Sequence, residues 1–86
     1  MPHVELLGLA QRYAGCSRLE CAGETLELIL GDIAAQCPSF LARCRPGELM
    51  PEGLIVCVNE RQFTNDPQYP ICPDDRVLLL SADIGG

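Results

Sequence analysis

Apolar residues follow three different spacings along the chain, and each predicts an element. Val4 to Ala10, V-E-L-L-G-L-A, is a nearly unbroken apolar stretch and predicts a first strand. Gly15 closes the segment after it, and Arg18 to Ala22 predicts a second strand that returns beside the first as a hairpin. The loop between them is too long for a two-residue turn. The period then changes. Leu26, Ile29, Leu30, Ile33 and Cys37 recur at i, i+3, i+4, i+7 and i+11, so they share one face of a helix. Thr25 is placed to cap its start, and Pro38 cannot continue it. Asp32 and Gln36 are expected to face away. Leu28 fits that polar outer face poorly, and Gly31 costs about 1 kcal/mol of helix propensity relative to Ala. Ser39 to Cys44 adds a short helical turn before the Pro46-Gly47 break.

Leu54 to Val58, L-I-V-C-V, is apolar on both faces, the pattern of a strand covered on both sides or lying in a sheet interior. Asn59-Glu60 turns the chain. The polar stretch from Gln62 to Tyr69, with Asn65-Asp66-Pro67, reads as a loop. Pro73-Asp74-Asp75 marks a second turn, and Arg76 to Leu80, R-V-L-L-L, is the last strand. Strand, strand, helix, strand, strand predicts an α+β fold: a mixed sheet with one main helix packed on one face. Residues 1–80 form the domain, and residues 81–86 are expected to project from it as a flexible tail.

Composition narrows the functions. A chain of 86 residues builds one small core and leaves little material for a deep catalytic cleft. Twelve acidic against six basic residues give a net charge of −6, which disfavours nucleic acid and anionic membranes as partners. No apolar run approaches the 18 or so residues of a membrane span. Met1-Pro2-His3-Val4-Glu5 lacks a basic segment followed by an apolar stretch, so a cytoplasmic location is expected. All six basic residues are Arg, so no side chain here forms a Schiff base or an isopeptide bond.

The six cysteines, at 16, 21, 37, 44, 57 and 72, have no two-residue gap between any pair, and His3 is the lone histidine. A zinc knuckle is therefore not expected. Cys16 and Cys21 have the four-residue gap that opens a plant-type iron–sulfur motif, but Glu24 stands where the next Cys belongs. Reduced structural thiols are expected, with Cys37 and Cys57 serving as small hydrophobes. Asp74 with Asp75, and Glu48 with Glu52, sit at turn and loop positions that account for them without an acid–base role.

After the last strand come Ser81-Ala82-Asp83-Ile84-Gly85-Gly86. Glycine is about 7% of residues, so a terminal pair arises by chance about 0.5% of the time. Together with the predicted core, the tail resembles the ubiquitin-like sulfur carriers, the family of the molybdopterin-synthase small subunit and the thiamin-pathway carrier. Val4 to Gln11 is similar to that family's first strand and its exit. Val56-Cys57-Val58-Asn59-Glu60 is similar to its V-x-V-N-x. Tyr69 to Val77 resembles the turn into its final strand, and Gly85-Gly86 match its functional end. Asp74 stands where the family usually has a Gly at a positive-φ turn position. Ser81-Ala82-Asp83 replaces the Pro-Pro-Val of many molybdopterin-synthase subunits.

The resemblance implies a β-grasp, ubiquitin-like fold and a role for the Gly86 carboxylate. A terminal carboxylate is unreactive at pH 7 and needs a leaving group. The chain has neither a phosphate-cradling loop nor a lysine for a triphosphate. No cofactor or metal is expected on it, and it has no catalytic machinery of its own. ATP is instead used by a ubiquitin-activating-type adenylating partner, after which a sulfur-donor enzyme converts the Gly86 adenylate to a thiocarboxylate. The large subunit of a molybdopterin-synthase-like complex is the expected acceptor. A carrier for thiamin or another sulfur metabolite, or a protein modifier forming isopeptide bonds through Gly86, is the alternative. Gly85 and Gly86, lacking Cβ, let a partner approach the last carbonyl closely.

Overall fold

Gly8 ends the first strand sooner than the apolar run suggests. The computed structural model describes residues 1–81, in the order β1 (His3–Leu6), α1 (Leu9–Ala14), β2 (Arg18–Glu20), α2 (Leu26–Gln36), α3 (Pro38–Leu41), β3 (Leu54–Val58), β4 (Gln62–Thr64) and β5 (Arg76–Ser81). At Gly8 φ is 58° and ψ −125°, a region that side chains with Cβ avoid. The chain turns there into a helix where a continued strand was expected. Ala10 and Ala14 are buried four residues apart, Leu9 and Tyr13 pack beside them, and Gly15 closes the helix in the left-handed conformation. β1 and β2 do pair antiparallel, His3 opposite Glu20 and Glu5 opposite Arg18. Their connection holds α1, so it is not a hairpin.

α2 forms as its spacing predicts. Leu26, Ile29, Leu30 and Ile33 are buried, and Thr25 Oγ1 accepts a hydrogen bond from the Leu28 N–H at 3.4 Å. Two further N–H groups at the start of α2 find partners in the long loop before β5: Leu26 donates to the Tyr69 carbonyl and Glu27 to that of Pro67. Leu28 is exposed. Asp32 and Gln36 do not simply face away. Asp32 Oδ2 accepts from the Ala22 N–H at 2.8 Å, and Gln36 Nε2 donates to the Glu20 carbonyl at 3.0 Å, so both fasten the exit of β2 to the helix.

The five strands lie in the order β2-β1-β5-β3-β4. β5 runs parallel to β1 and antiparallel to β3, which makes the sheet mixed. β4 lies within the stretch expected to be a loop. Asn59 and Glu60 take φ of 54° and 58°, and the Arg61 N–H donates to the Val58 carbonyl. That tight turn brings Gln62–Thr64 back along β3 as an edge strand. Polar side chains hide such a strand from a hydrophobicity reading, because its backbone pairing, not burial, holds it. No non-glycine residue besides Asn59 and Glu60 has positive φ among those described, so Asp74 does not adopt the conformation expected of it.

α2 and α3 cover one face of the sheet. Leu6, Leu26, Ile29, Ile33, Phe40, Val56, Val77 and Leu79 meet there with no solvent exposure, and no polar residue is buried with them among the described residues. None of the described helices is long and apolar enough to cross a membrane.

Candidate functional site

Strand alternation divides each inner strand between the core and the opposite face of the sheet. Val4 and Leu6 of β1, Val56 and Val58 of β3, and Val77 and Leu79 of β5 point to the core and are buried. Val77 and Leu79 are therefore core residues. Their neighbours point the other way, where none of the described helices lies. The register aligns Glu5, Leu78, Cys57 and Phe63 in one row across β1, β5, β3 and β4, with Leu80 opposite Ile55 in the next. Ile55, Leu78 and Leu80 are half-buried, and Phe63 is 58% exposed. Cys57 is buried yet lies outside the core cluster, sheltered on this face between the strands that carry Leu78 and Phe63.

This apolar strip replaces the two-sided cover that L-I-V-C-V suggests. β3 is interior to the sheet through its neighbouring strands, but one face is open. The residues of this face could have been found by carrying the alternation of R-V-L-L-L one step further: if Val77 and Leu79 are core, Leu78 and Leu80 face outward.

Charge rims the strip. Arg76 Nη2 lies 3.0 Å from Glu5 Oε1 and 3.8 Å from Glu60 Oε1. The Glu5 hydrogen bond, aided by the Glu60 charge, pushes the Arg76 guanidinium pKa up. A shallow groove lined by His3, Glu5, Arg18, Glu20 and Arg76 borders the strip on the β1–β2 side. At the β4 side Asn59 clamps the turn to the start of β5: its Oδ1 accepts from the Arg76 N–H at 2.9 Å, and its Nδ2 donates to Asp75 Oδ1 at 2.9 Å.

The carboxylates at the turns are structural. Asp75 Oδ2 accepts from the Cys72 N–H at 2.7 Å and closes the turn into β5, and Glu52 pairs with Arg45 at 2.8 Å. No cluster of three His, Cys, Asp or Glu among the described residues is placed to hold a metal ion. Gly85 and Gly86, the residues singled out for the chemistry, lie outside the described residues. β5 runs one residue beyond the expected strand, to Ser81, so five residues of the sequence follow its end.

The sequence matches no protein-family model and no curated relative. Its fold, however, matches solved structures along nearly the whole chain. It is similar to small archaeal modifier protein 1 from Methanosarcina acetivorans, with a TM-score of 0.79 at 16% identity, over 99% of this chain and 95% of that one. It is similar to a chain of the Amycolatopsis orientalis BexX/CysO complex, with a TM-score of 0.79 at 20% identity over the whole of both chains. CysO of Mycobacterium tuberculosis gives a TM-score of 0.71 at 18% identity, over 95% of this chain and 99% of that one. With its mixed five-stranded sheet and covering helices, the chain thus has the ubiquitin-like β-grasp fold of these solved structures.

Proposed function

We propose that this chain is a sulfur carrier that works through the Gly86 carboxylate. The observation that carries the reading is the continuity between the open sheet face and the tail. β5 presents Leu78 and Leu80 on that face and leads directly into the segment ending in Gly85-Gly86. Five residues beyond Ser81 span at most about 17 Å, so any enzyme acting on Gly86 must sit close to this end of the sheet. An apolar strip with a charged rim is the kind of surface such a partner covers. We assign the strip to the adenylating enzyme.

In that reading the partner binds ATP. The Gly86 carboxylate attacks the α-phosphorus, forming an acyl-adenylate and releasing pyrophosphate. Hydrosulfide supplied by a donor enzyme then attacks the acyl carbon, expels AMP and leaves a thiocarboxylate on Gly86. This chain supplies the carboxylate, the access that two glycines give, and the docking strip. Among acceptors we favour the large subunit of a molybdopterin-synthase-like complex, with thiamin or another sulfur metabolite as the alternative destination. The likeness to a chain from a BexX/CysO complex supports a carrier that acts together with a second protein.

The likeness to small archaeal modifier proteins favours a second reading, a modifier joined through Gly86 to lysines of other proteins. Having no lysine, it could not be linked into chains of itself through lysine side chains. Both readings begin with adenylation and part afterwards.

The test is the intact mass of the protein from its host, before and after incubation with ATP, the host's activating enzyme and a sulfur donor. A carrier gains one oxygen-to-sulfur exchange, and loses that gain when Gly86 is deleted. A modifier instead gives conjugates carrying a Gly86 isopeptide. If neither adenylate, thiocarboxylate nor conjugate forms with the folded protein, the carrier reading fails.

A further inference from the structure

Two thiols meet on the helical side of the molecule, away from the open sheet face. Gly15 turns the chain out of α1 and brings Cys16 against Cys37, the residue that caps the C-terminal end of α2. Their Sγ atoms are 3.9 Å apart. Cys16 is partly exposed, whereas Cys37 is only 6% exposed. Cys21, fully buried beside them, accepts a hydrogen bond from Gln36 Nε2 at 3.7 Å. The pair is thus asymmetric: a small reagent in solution reaches Cys16, and Cys37 is sheltered so that its accessible partner is Cys16. Burial, with the hydrogen bond and charge of Cys16, pushes the Cys37 thiol up, which disfavours its thiolate. A disulfide bond is about 2.05 Å long, so the two sulfurs have about 1.9 Å to close.

We propose that Cys16 and Cys37 form a reversible intramolecular disulfide site, oxidised by a low-molecular-weight disulfide of the glutathione class. The Cys16 thiolate attacks one sulfur of the small disulfide, forming a mixed disulfide and expelling one thiolate. Cys37 gives up its proton and attacks Cys16 Sγ, forming the internal bond and expelling the second thiolate. Two protein thiols are oxidised, the small disulfide is reduced to two thiols, and the two protons pass to the leaving thiolates. The cross-link joins residues 21 apart in sequence and ties the exit of α1 to the end of α2. It encloses β2 and all of α2, which Asp32 and Gln36 already fasten together. Restricting the unfolded chain in this way raises Tm by about 10 °C for a domain of this size. The inference stands whether or not the chain carries sulfur on Gly86.

The test equilibrates the full chain, folded and without denaturant, with oxidised glutathione, and follows intact mass and thermal unfolding. Apart from glutathione carried on the exposed Cys72, the expected product has lost two hydrogen atoms, melts about 10 °C higher, and reverts with dithiothreitol. Cleavage after arginine separates Cys16, in residues 13–18, from Cys21 and Cys37, in residues 19–43, and fragmentation of the linked peptides assigns the bond. Cys37→Ala should leave glutathione trapped on Cys16, Cys16→Ser should abolish both products, and Cys72→Ser should change neither. A bond to Cys21, a mixed disulfide that persists on Cys16 in the unsubstituted chain, a lowered Tm, or no oxidation of the natively folded protein would each overturn the proposal.

Discussion

Phe63 presents most of its ring to solvent from the edge of the sheet, where it does little for the fold and is free to serve a partner. Aromatic side chains in such positions are frequent anchors of binding energy. If the strip docks an adenylating enzyme as proposed, Phe63→Ala raises the KM for adenylation about tenfold while stability changes by no more than about 0.5 kcal/mol. Steady-state kinetics beside a denaturant titration checks both, and an unchanged KM would move the docking surface elsewhere. Glu60 offers the opposite case, a residue whose backbone is strained. Its φ of 58° suits glycine, and its contact with Arg76 at 3.8 Å is an exposed one of little worth. Glu60→Gly should therefore stabilise the protein by about 0.5–1 kcal/mol in urea unfolding, against the usual penalty of adding a glycine.

At the scale of elements, the start of α2 is where the chain is least tolerant. A Cβ on Gly23 would lie 2.7 Å from Leu28 Cβ and 3.0 Å from the Ile29 nitrogen, closer than real contacts allow. Gly23→Ala should cost about 1–3 kcal/mol through forced displacement of the helix, read as a lower denaturation midpoint with an unchanged slope. α2 itself was legible because five apolar residues fit one helical face. α1 was not: with six residues it is too short to stand out by period, and its Leu9 continues the run of β1. Ala10 and Ala14 four apart, ahead of Gly15, were the signal available. β4 left almost none, because Gln62–Thr64 is a strand by virtue of the turn at Asn59-Glu60 and the backbone of β3 beside it.

For the whole molecule, buried thiols set an alkaline limit. Burial, with the charge of Asp32, pushes the Cys21 pKa from 9.0 up to about 12, and Cys37 and Cys44 shift in the same direction, chiefly by burial. Well below pH 9 the Cys21 thiol is protonated in both folded and unfolded chains, so it leaves stability unaffected. Between about 9 and 12 the unfolded chain releases the Cys21 proton and the folded one retains it. Stability then falls with rising pH, by up to about 1.4 kcal/mol per unit from this one group. Urea unfolding under reductant from pH 7 to 11 should show that decline, and Cys21→Ala should make it shallower. An identical slope in the variant would remove Cys21 as its cause.

The sequence alone determined the main helix with its Thr25 cap, the central strands, the mixed α+β class and the Gly85-Gly86 ending, because these depend on period, capping and local steric freedom. Tertiary structure decided that β5 lies between β1 and β3, that the loop at Pro67–Tyr69 supplies carbonyls to the first N–H groups of α2, and that Cys16 meets Cys37 across 21 positions. It also decided which face of the sheet stays open. L-I-V-C-V is equally apolar whether covered on two sides or one. Only the placement of α2 and α3 on a single face leaves Ile55, Leu78, Leu80 and Phe63 toward solvent, since burial is a property of what packs against a strand and not of the strand's own residues.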